Sequence, residues 1–171
     1  MLFQELTELF SGARFIHIVR DGRDCATSAW FHNGRVNAAE QAENFGTLDA
    51  YIETLAGHRA TEVARCWAWC EARPLQSRQV RYEDLVDQPD LVLRSLFHFL
   101  SMAASDAQLA ACRREAAFED LTHGRKIGQE DQAALFRRGV PGDWRNHFTV
   151  ADNAKFLAIA GTLSTRLGYA A

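Results

Sequence analysis

The chain has 171 residues, a formal net charge of −3 at pH 7, and 47% hydrophobic and 11% aromatic residues. This length and apolar content are enough for one domain with a real core, so a second domain is not expected. The balanced charge and the even spread of aromatic residues exclude a nucleic-acid footprint and a disordered tail. No apolar run has the length of a secretory signal or a membrane span, so a soluble, reducing and cytoplasmic location is expected.

Turn residues and hydrophobic spacing divide the first part of the chain into three elements. They predict a short helix over residues 4–10, a strand over residues 14–19 and a helix that runs to about residue 30. Asp21 or Asp24 can cap this second helix, because a carboxylate accepts hydrogen bonds from the free N–H groups of the first turn. Asn33-Gly34 then predicts a loop.

The middle of the chain predicts helices on both sides of a second strand. Apolar residues recur near helical spacing over residues 46–72, which indicates one long or broken helix, closed by Pro74. Residues 78–82 predict the second strand, and Pro89 suits the first turn of a helix over residues 89–100. Ser105 and Gln108 then have capping-box spacing for a further helix.

The last part of the chain combines a polar segment with a strongly patterned helix. Residues 124–135 are polar and lack periodicity, which predicts a mobile loop. Thr149 and Asp152 again have capping-box spacing. An apolar stripe follows before Gly168 and consists of Phe156, Ala160, Leu163 and Leu167.

The four cysteines do not form a metal-binding pattern. They lie at Cys25, Cys66, Cys70 and Cys112, with no C-x-x-C pair and no histidine at zinc spacing. Free, buried thiols are therefore expected and no metal is predicted. Cys66 and Cys70 are one helical turn apart, which leaves redox pairing of these two as an alternative.

A strand that runs directly into an arginine and then a helix is the most informative feature of the chain. In FIHIVRDGRDCATSAWF, residues 15–31, Arg20 follows the strand and Ser28 lies on the next helix. Ligands of open parallel α/β sheets bind beyond the carboxyl ends of strands, and guanidinium and hydroxyl donors suit a phosphate. The alternative is that Arg20 forms a structural ion pair with Asp21, Asp24 or Glu83.

Two later segments carry further candidate binding residues. Tyr82, in VRYEDLVDQPDLVLRSLFHFL, ends the second predicted strand and can lie near the same crevice, or it can be a half-buried strand aromatic. In FRRGVPGDWRNHFTV, Arg137 and Arg138 offer two guanidiniums. Gly139 can approach an anion closely or adopt a positive φ. A basic surface loop is the plainer interpretation of that segment.

These three ordered segments resemble the sulfotransferases that use 3′-phosphoadenosine 5′-phosphosulfate (PAPS). The resemblance extends from about residue 13 to residue 169 and implies an α/β fold with a P-loop NTPase-like parallel sheet flanked by helices. It further implies a single partial sulfotransferase domain over residues 1–171, truncated at the N-terminus and rich in helix. PAPS is the implied sulfuryl donor, and the implied acceptor is a hydroxyl or amine of unidentified chemistry.

The resemblance also assigns roles to individual residues. It places the donor's 3′-phosphate on Arg20, Ser28 and the segment Arg137-Arg138-Gly139, and the adenosine on Tyr82. Arginine at position 138 departs from the family's usual lysine. The block from Arg145 to Ala154 resembles a dimer-contact sequence of cytosolic members, but its final acid is replaced by Ala154, which leaves dimerisation open.

The family's catalytic groups have no counterpart among these segments. Its lysine-bearing 5′-phosphosulfate loop and its acceptor-activating base lie upstream of the Arg20 strand, whereas the two lysines here are Lys126 and Lys155. No catalytic residue is therefore assigned. The alternative function is an inactive remnant, or a module that binds adenosine 3′,5′-bisphosphate without turnover. A P-loop kinase ranks behind both, because the Walker lysine motif is absent.

Overall fold

The computed structural model describes residues 2–169, and within that range it contains two β-strands, ten α-helices, one π-helical turn and one 3₁₀ turn. The strands are β1 (Phe15–Val19) and β2 (Ser77–Arg81). The helices are α1 (Leu2–Leu9), α2 (Gly22–Val36), α3 (Ala38–Asn44), α4 (Leu48–His58), α5 (Ala64–Glu71), α6 (Tyr82–Asp87), α7 (Pro89–Phe99), α8 (Asp106–Glu115), α9 (Phe118–Leu121) and α10 (Val150–Arg166). The π-helical turn is Arg59–Val63 and the 3₁₀ turn is Asp143–Asn146.

The two strands pair in parallel, as the sequence predicts. Their register runs from Phe15 opposite Ser77 to Val19 opposite Arg81. The second strand ends one residue earlier than predicted, because Tyr82 is already the first residue of α6. Tyr82 is therefore a helix N-terminal residue, and the prediction that it ends the strand is wrong.

The chain divides into two compact units. The first comprises the described residues of Met1–Val19 together with Arg65–Ala110, and here α6 and α7 contact β2. The second comprises Arg20–Ala64 and the described residues of Ala111–Ala171. The expectation of a single domain over the whole chain is not tested by this division and stays a prediction.

The core of the second unit is built where α2, α4 and α10 meet. Its fully or almost fully buried residues are Ala26, Ile52, Ala56, Phe156 and Ala160. Small residues on each helix let the backbones approach closely, and the ring of Phe156 fills the space between them. The predicted apolar stripe of α10 is confirmed, because all four of its members are buried.

Helix α2 continues past the predicted loop at Asn33-Gly34 and ends at Val36. The loop prediction is wrong because packing against α3 overrides the local turn signal. The amide of Gln41 in α3 donates to the carbonyl of Trp30 at 2.9 Å, and its oxygen would lie 2.7 Å from a β-carbon at position 34. Gly34 therefore serves close helix contact rather than a turn.

The predicted helix starts agree closely with the structure. Ser105 and Gln108 exchange capping-box hydrogen bonds before α8. Thr149 and Asp152 do the same before α10. The helix predicted over residues 46–72 is continuous from residue 48 to residue 71, with the π-helical turn between α4 and α5 as its one irregularity in the described structure.

Candidate functional site

The N-terminus of α2 carries three charged residues that are buried, namely Asp21, Arg23 and Asp24. Asp21 caps the helix by accepting from the backbone N–H of Arg23 at 2.9 Å. The same carboxylate pairs with the Arg23 guanidinium at 2.8 Å. Arg23 is 1% exposed, lies 3.9 Å from the centre of the Trp144 ring and donates to Asn153.

Asp24 is not the helix cap, because its carboxylate reaches across to a distant loop. It accepts the backbone N–H of Gly142 at 2.6 Å and that of Trp144 at 2.9 Å. Two backbone donors on one carboxylate fix both partners strongly. The start of α2 is thereby tied to the loop that contains Asp143.

Arg20 lies next to Asp24, the residue that ties the start of α2 to the loop around Asp143. Its guanidinium is 3.9 Å from the Asp24 carboxylate and its side chain is 27% exposed. Arg59, in the π-helical turn, donates to the carbonyl of Arg20 at 2.7 Å, which holds the turn before α2. The proposed ion-pair alternative for Arg20 therefore has a real partner, although at 3.9 Å the contact is at the outer limit of an ion pair.

Arg137 and Arg138 both contact the carboxylate of Asp143. Arg138 donates to one oxygen at 2.5 Å, and Arg137 pairs with the other. Arg137 is further held by Glu130 at 2.6 Å and by the Phe31 ring at 4.5 Å. Their side chains differ in access to solvent, since Arg137 is 11% exposed and Arg138 is 31% exposed.

Gly139 adopts the positive φ that the sequence interpretation allowed for. Its φ is +72°, and an added β-carbon would lie 2.5 Å from the Phe118 ring. A side chain at this position would be strained by the backbone and would also collide with an aromatic ring. The glycine therefore lets the backbone after Arg138 turn against α9.

The segment 124–135 contains turns but neither helix nor strand. Hydrogen bonds join it to the basic residues: Gly128 N–H donates to the carbonyl of Arg138, and Arg125 donates to the carbonyl of Arg137 at 2.8 Å. The prediction of a loop is confirmed, while its predicted mobility stays a prediction.

The structure links three of the predicted basic residues through two aspartates. Asp24 contacts Arg20 and the backbone on both sides of Asp143, and Asp143 contacts Arg137 and Arg138. Ser28 is exposed on α2 in the same unit, whereas Tyr82 belongs to the first unit.

Sequence reasoning missed the roles of Asp24 and Asp143. The segment that contains Asp143 attracted a prediction only for its arginines and glycine, and Asp24 resembled an ordinary helix cap. The contact between α2 and this loop spans more than a hundred residues, so no local pattern could reveal it.

Burial and hydrogen bonding move the pKa values of the two aspartates in opposite directions. Burial raises the pKa of Asp24, and the N–H groups of Gly142 and Trp144 and the charge of Arg20 offset this only in part. Burial also acts to raise the pKa of Asp143, but hydrogen bonds from Asn146 and Arg137 and the charges of both arginines outweigh it. They lower the pKa of Asp143 to about 2.

Asp143 is expected to make the free energy of unfolding depend on pH between about pH 4 and pH 2. Its pKa is lower in the folded protein than the ordinary 3.8, so its contribution is complete above about pH 4 and is lost as the pH falls towards 2. A pKa shift of one unit corresponds to about 1.4 kcal/mol, so the lowered pKa of Asp143 contributes on the order of 2 kcal/mol to the free energy of unfolding.

The measurement is the free energy of unfolding of the protein and of its Asp143→Asn variant across this pH range. The difference between them should shrink as the pH falls. A difference that stays constant from pH 5 to pH 2 would contradict the assignment.

Solved structures show which fold this arrangement belongs to. Mouse sulfotransferase SULT7A1, crystallised with PAP (adenosine 3′,5′-bisphosphate), superimposes with a TM-score of 0.66 at 22% identity, over 91% of this chain and 63% of that chain. Retinol dehydratase in complex with androsterone and PAP gives 0.61 at 16% identity, over 92% and 49%. The helix-rich α/β architecture is therefore the P-loop NTPase-like fold of sulfotransferases, as predicted.

Residues 3–168 match the sulfotransferase domain family, so the chain belongs to that family. Human sulfotransferase 1C2 is 27% identical over 161 residues, which are 85% of this chain and 53% of that protein. Dog (Canis lupus familiaris) sulfotransferase 1B1 is also 27% identical over 161 residues, with the same coverage of 85% and 53%. The chain thus spans about half the length of the curated relatives it matches.

The described part of the chain has neither a helix suited to a membrane nor a cluster suited to a metal ion. Over residues 2–169 no helix combines the length and the apolar character that crossing a bilayer requires. The same residues contain no group of three or more histidine, cysteine or acidic side chains placed to hold a metal ion.

Proposed function

We propose that the protein acts in sulfuryl transfer from PAPS to a hydroxyl or amine acceptor, and that this chain carries the half of the site that binds the donor's 3′-phosphate. The observation that supports this most directly is the link from Arg20 through Asp24 and Asp143 to Arg137 and Arg138. It gathers cationic donors from two distant parts of the chain.

The side chains present suit a phosphate group. The side chains of Arg20 and Arg138 are each partly exposed, and the hydroxyl-bearing Ser28 is exposed on the helix that follows Arg20. Gly139, with a φ of +72°, turns the backbone directly after Arg138 and is proposed to shape the binding segment in this way. Bound PAPS would supply the sulfuryl group, while these residues bind and orient its nucleotide.

The two arginines of the proposed clamp are not equivalent. Arg137 is engaged by Glu130, Asp143 and the ring of Phe31, so it has few donors left for a ligand. Arg138 contacts Asp143 and the carbonyl of Gly128 and is the more exposed of the two. Arg138 is therefore the main ligand-binding arginine of this segment, and Arg137 chiefly orders the loop.

Arg20→Ala and Arg138→Ala are each expected to weaken binding of adenosine 3′,5′-bisphosphate by about tenfold to a hundredfold. Hydrogen bonds to charged groups contribute about 1.5–3 kcal/mol each, and 1.4 kcal/mol corresponds to a factor of ten in affinity. Isothermal titration calorimetry on the purified protein measures the dissociation constants.

Arg166→Ala serves as the matched control. Arg166 is an exposed arginine in the last turn of α10, in the same unit, and its replacement removes the same charge. Affinity should change less than about twofold in this variant. If both Arg20→Ala and Arg138→Ala bound the nucleotide as tightly as the unmodified protein, the assignment of the site would be wrong.

A module that binds the nucleotide without turnover is the second candidate. Of the two lysines in the chain, Lys155 is paired with Asp49 at 2.5 Å, and the backbone of Lys126 is hydrogen-bonded within the loop 124–139. Neither belongs to a glycine-rich phosphate loop in the sequence. Transfer of ³⁵S from labelled PAPS to a panel of phenols, alcohols and amines tests the module, because any transfer by the purified protein would rule it out.

A further inference from the structure

The carboxylate of Asp143 is the common partner of four side chains. Arg137 and His147 approach one oxygen, His147 at 3.2 Å. Arg138 and Asn146 approach the other at 2.5 and 2.8 Å. The side chain of Asp143 is only 3% exposed, so this anion sits beneath the arginines rather than beside them in solvent.

The position of Asp143 is itself fixed. Its two chain neighbours, Gly142 and Trp144, both donate their backbone N–H groups to Asp24. Gly142 adopts a φ of +80°, which turns the chain at this point. Because Asp24 lies in the first turn of α2, it holds the Asp143 carboxylate at a fixed position relative to that helix, which also carries Ser28.

We propose that Asp143 is a positioning residue for the phosphate clamp: its fixed carboxylate sets the guanidiniums of Arg137 and Arg138 side by side, so that Arg138 presents its remaining donors to the 3′-phosphate. This inference rests on the proposed function. It adds a residue that does not contact the nucleotide and that carries the same sign of charge as the ligand.

Two effects of Asp143 on an anion oppose each other. Its negative charge repels a phosphate. If this repulsion alone mattered, removing the charge would tighten phosphate binding. Its geometry orients the arginine donors, so if positioning dominates, removing the carboxylate weakens binding. Asparagine keeps the size but places an N–H₂ donor against a guanidinium donor, which breaks the paired arrangement.

The experiment compares adenosine 3′,5′-bisphosphate with 5′-AMP, which lacks the 3′-phosphate, by calorimetry on the protein and on its Asp143→Asn variant. We expect Asp143→Asn to weaken bisphosphate binding by about tenfold, the effect of losing one charge-assisted contact, and to leave 5′-AMP binding within about twofold. A merely structural role would weaken both ligands alike. Unchanged or tighter bisphosphate binding would overturn the inference.

A second variant keeps the test decisive if Asp143→Asn is poorly folded. Asp143→Glu retains the charge and displaces the carboxylate by one methylene. Positioning predicts that bisphosphate binding is weakened again, whereas unchanged binding in this variant would overturn the inference. Asp49→Asn, which removes an exposed acidic partner of Lys155, is the matched control and should change neither ligand's affinity.

Coupling between Asp143 and Arg138 completes the test. If Asp143 acts through Arg138, adding Asp143→Asn to Arg138→Ala should cause no further loss of bisphosphate affinity. Full additivity of the two changes would overturn the inference. Failure of the proposed function looks different: the unmodified protein would then bind the bisphosphate no better than 5′-AMP.

Discussion

Replacing Arg23 with methionine is expected to lower the free energy of unfolding by about 3–5 kcal/mol, because it leaves the carboxylate of Asp21 buried without its partner. Arg23 is 1% exposed and is engaged by Asp21, Asn153 and the face of Trp144. In a protein of this length such a loss lowers the melting temperature by roughly 10 °C. Urea denaturation and calorimetry measure both quantities.

The chain offers a matched control on the same ring. Arg145 also stacks on Trp144, at 4.5 Å, but it is exposed. Arg145→Met should therefore change stability by less than about 1 kcal/mol. Equal effects of the two substitutions would show that the ring contact, and not the buried ion pair, is what Arg23 contributes.

A double variant isolates the uncompensated charge. In Asp21→Ser with Arg23→Met, the serine can still cap α2 while both buried charges are removed. Stability should recover substantially relative to Arg23→Met alone, since buried pairs cost desolvation energy on both sides. A double variant less stable than the single one would indicate that Asp21 does more than neutralise Arg23.

Phe156→Ala is expected to lower the free energy of unfolding by about 3–5 kcal/mol, through lost burial and a cavity at the centre of the second unit. The ring is completely buried among α2, α4 and α10. Its tip would lie 2.5 Å from a β-carbon at Gly22, so the start of α2 rests directly on it. The measurement is urea unfolding, in which the slope of the unfolding free energy against urea concentration should stay unchanged.

Ile159→Ala on the same helix is the control for Phe156→Ala. Ile159 is 37% exposed, and its truncation removes less buried surface, so a loss of about 1 kcal/mol or less is expected. A loss below about 1.5 kcal/mol for Phe156→Ala would mean that neighbouring side chains collapse into the space, contrary to the close packing described.

Local signals in the sequence predicted much of the fold. The capping boxes before α8 and α10 and the apolar stripe of α10 each rest on neighbours a few residues apart or on strong periodicity, whereas the parallel pairing of β1 with β2 was implied by the family resemblance. Where packing between helices decided the outcome, local signals failed. Asn33-Gly34 has the composition of a turn, yet it lies inside α2 because α3 packs against it.

The sequence indicated the residue types of the candidate site but not which side chains contact one another. The positions of Arg137 and Arg138 next to glycine predict an anion site, which stays a prediction, and the positive φ of Gly139 is one of the two possibilities that the sequence left open for that residue. Which carboxylate each arginine meets depends on tertiary contacts, so the sequence could not show that Asp143 joins them. Burial of Arg23 was hidden for the same reason, since charged residues near a helix start are usually solvated.

The contacts that tie α2 to the loop around Asp143 also bear on how the protein folds. The two hydrogen bonds to Asp24 span 118 and 120 residues, and the bond from Arg23 to Asn153 spans 130. Closing such long loops costs entropy before any stabilising contact is gained, and native structures rich in distant contacts form slowly. We therefore expect the helices of the second unit to form early in folding, and the contacts of Asp24 and Arg23 with the loop around Asp143 and with α10 to form late, when the two ends of that unit meet.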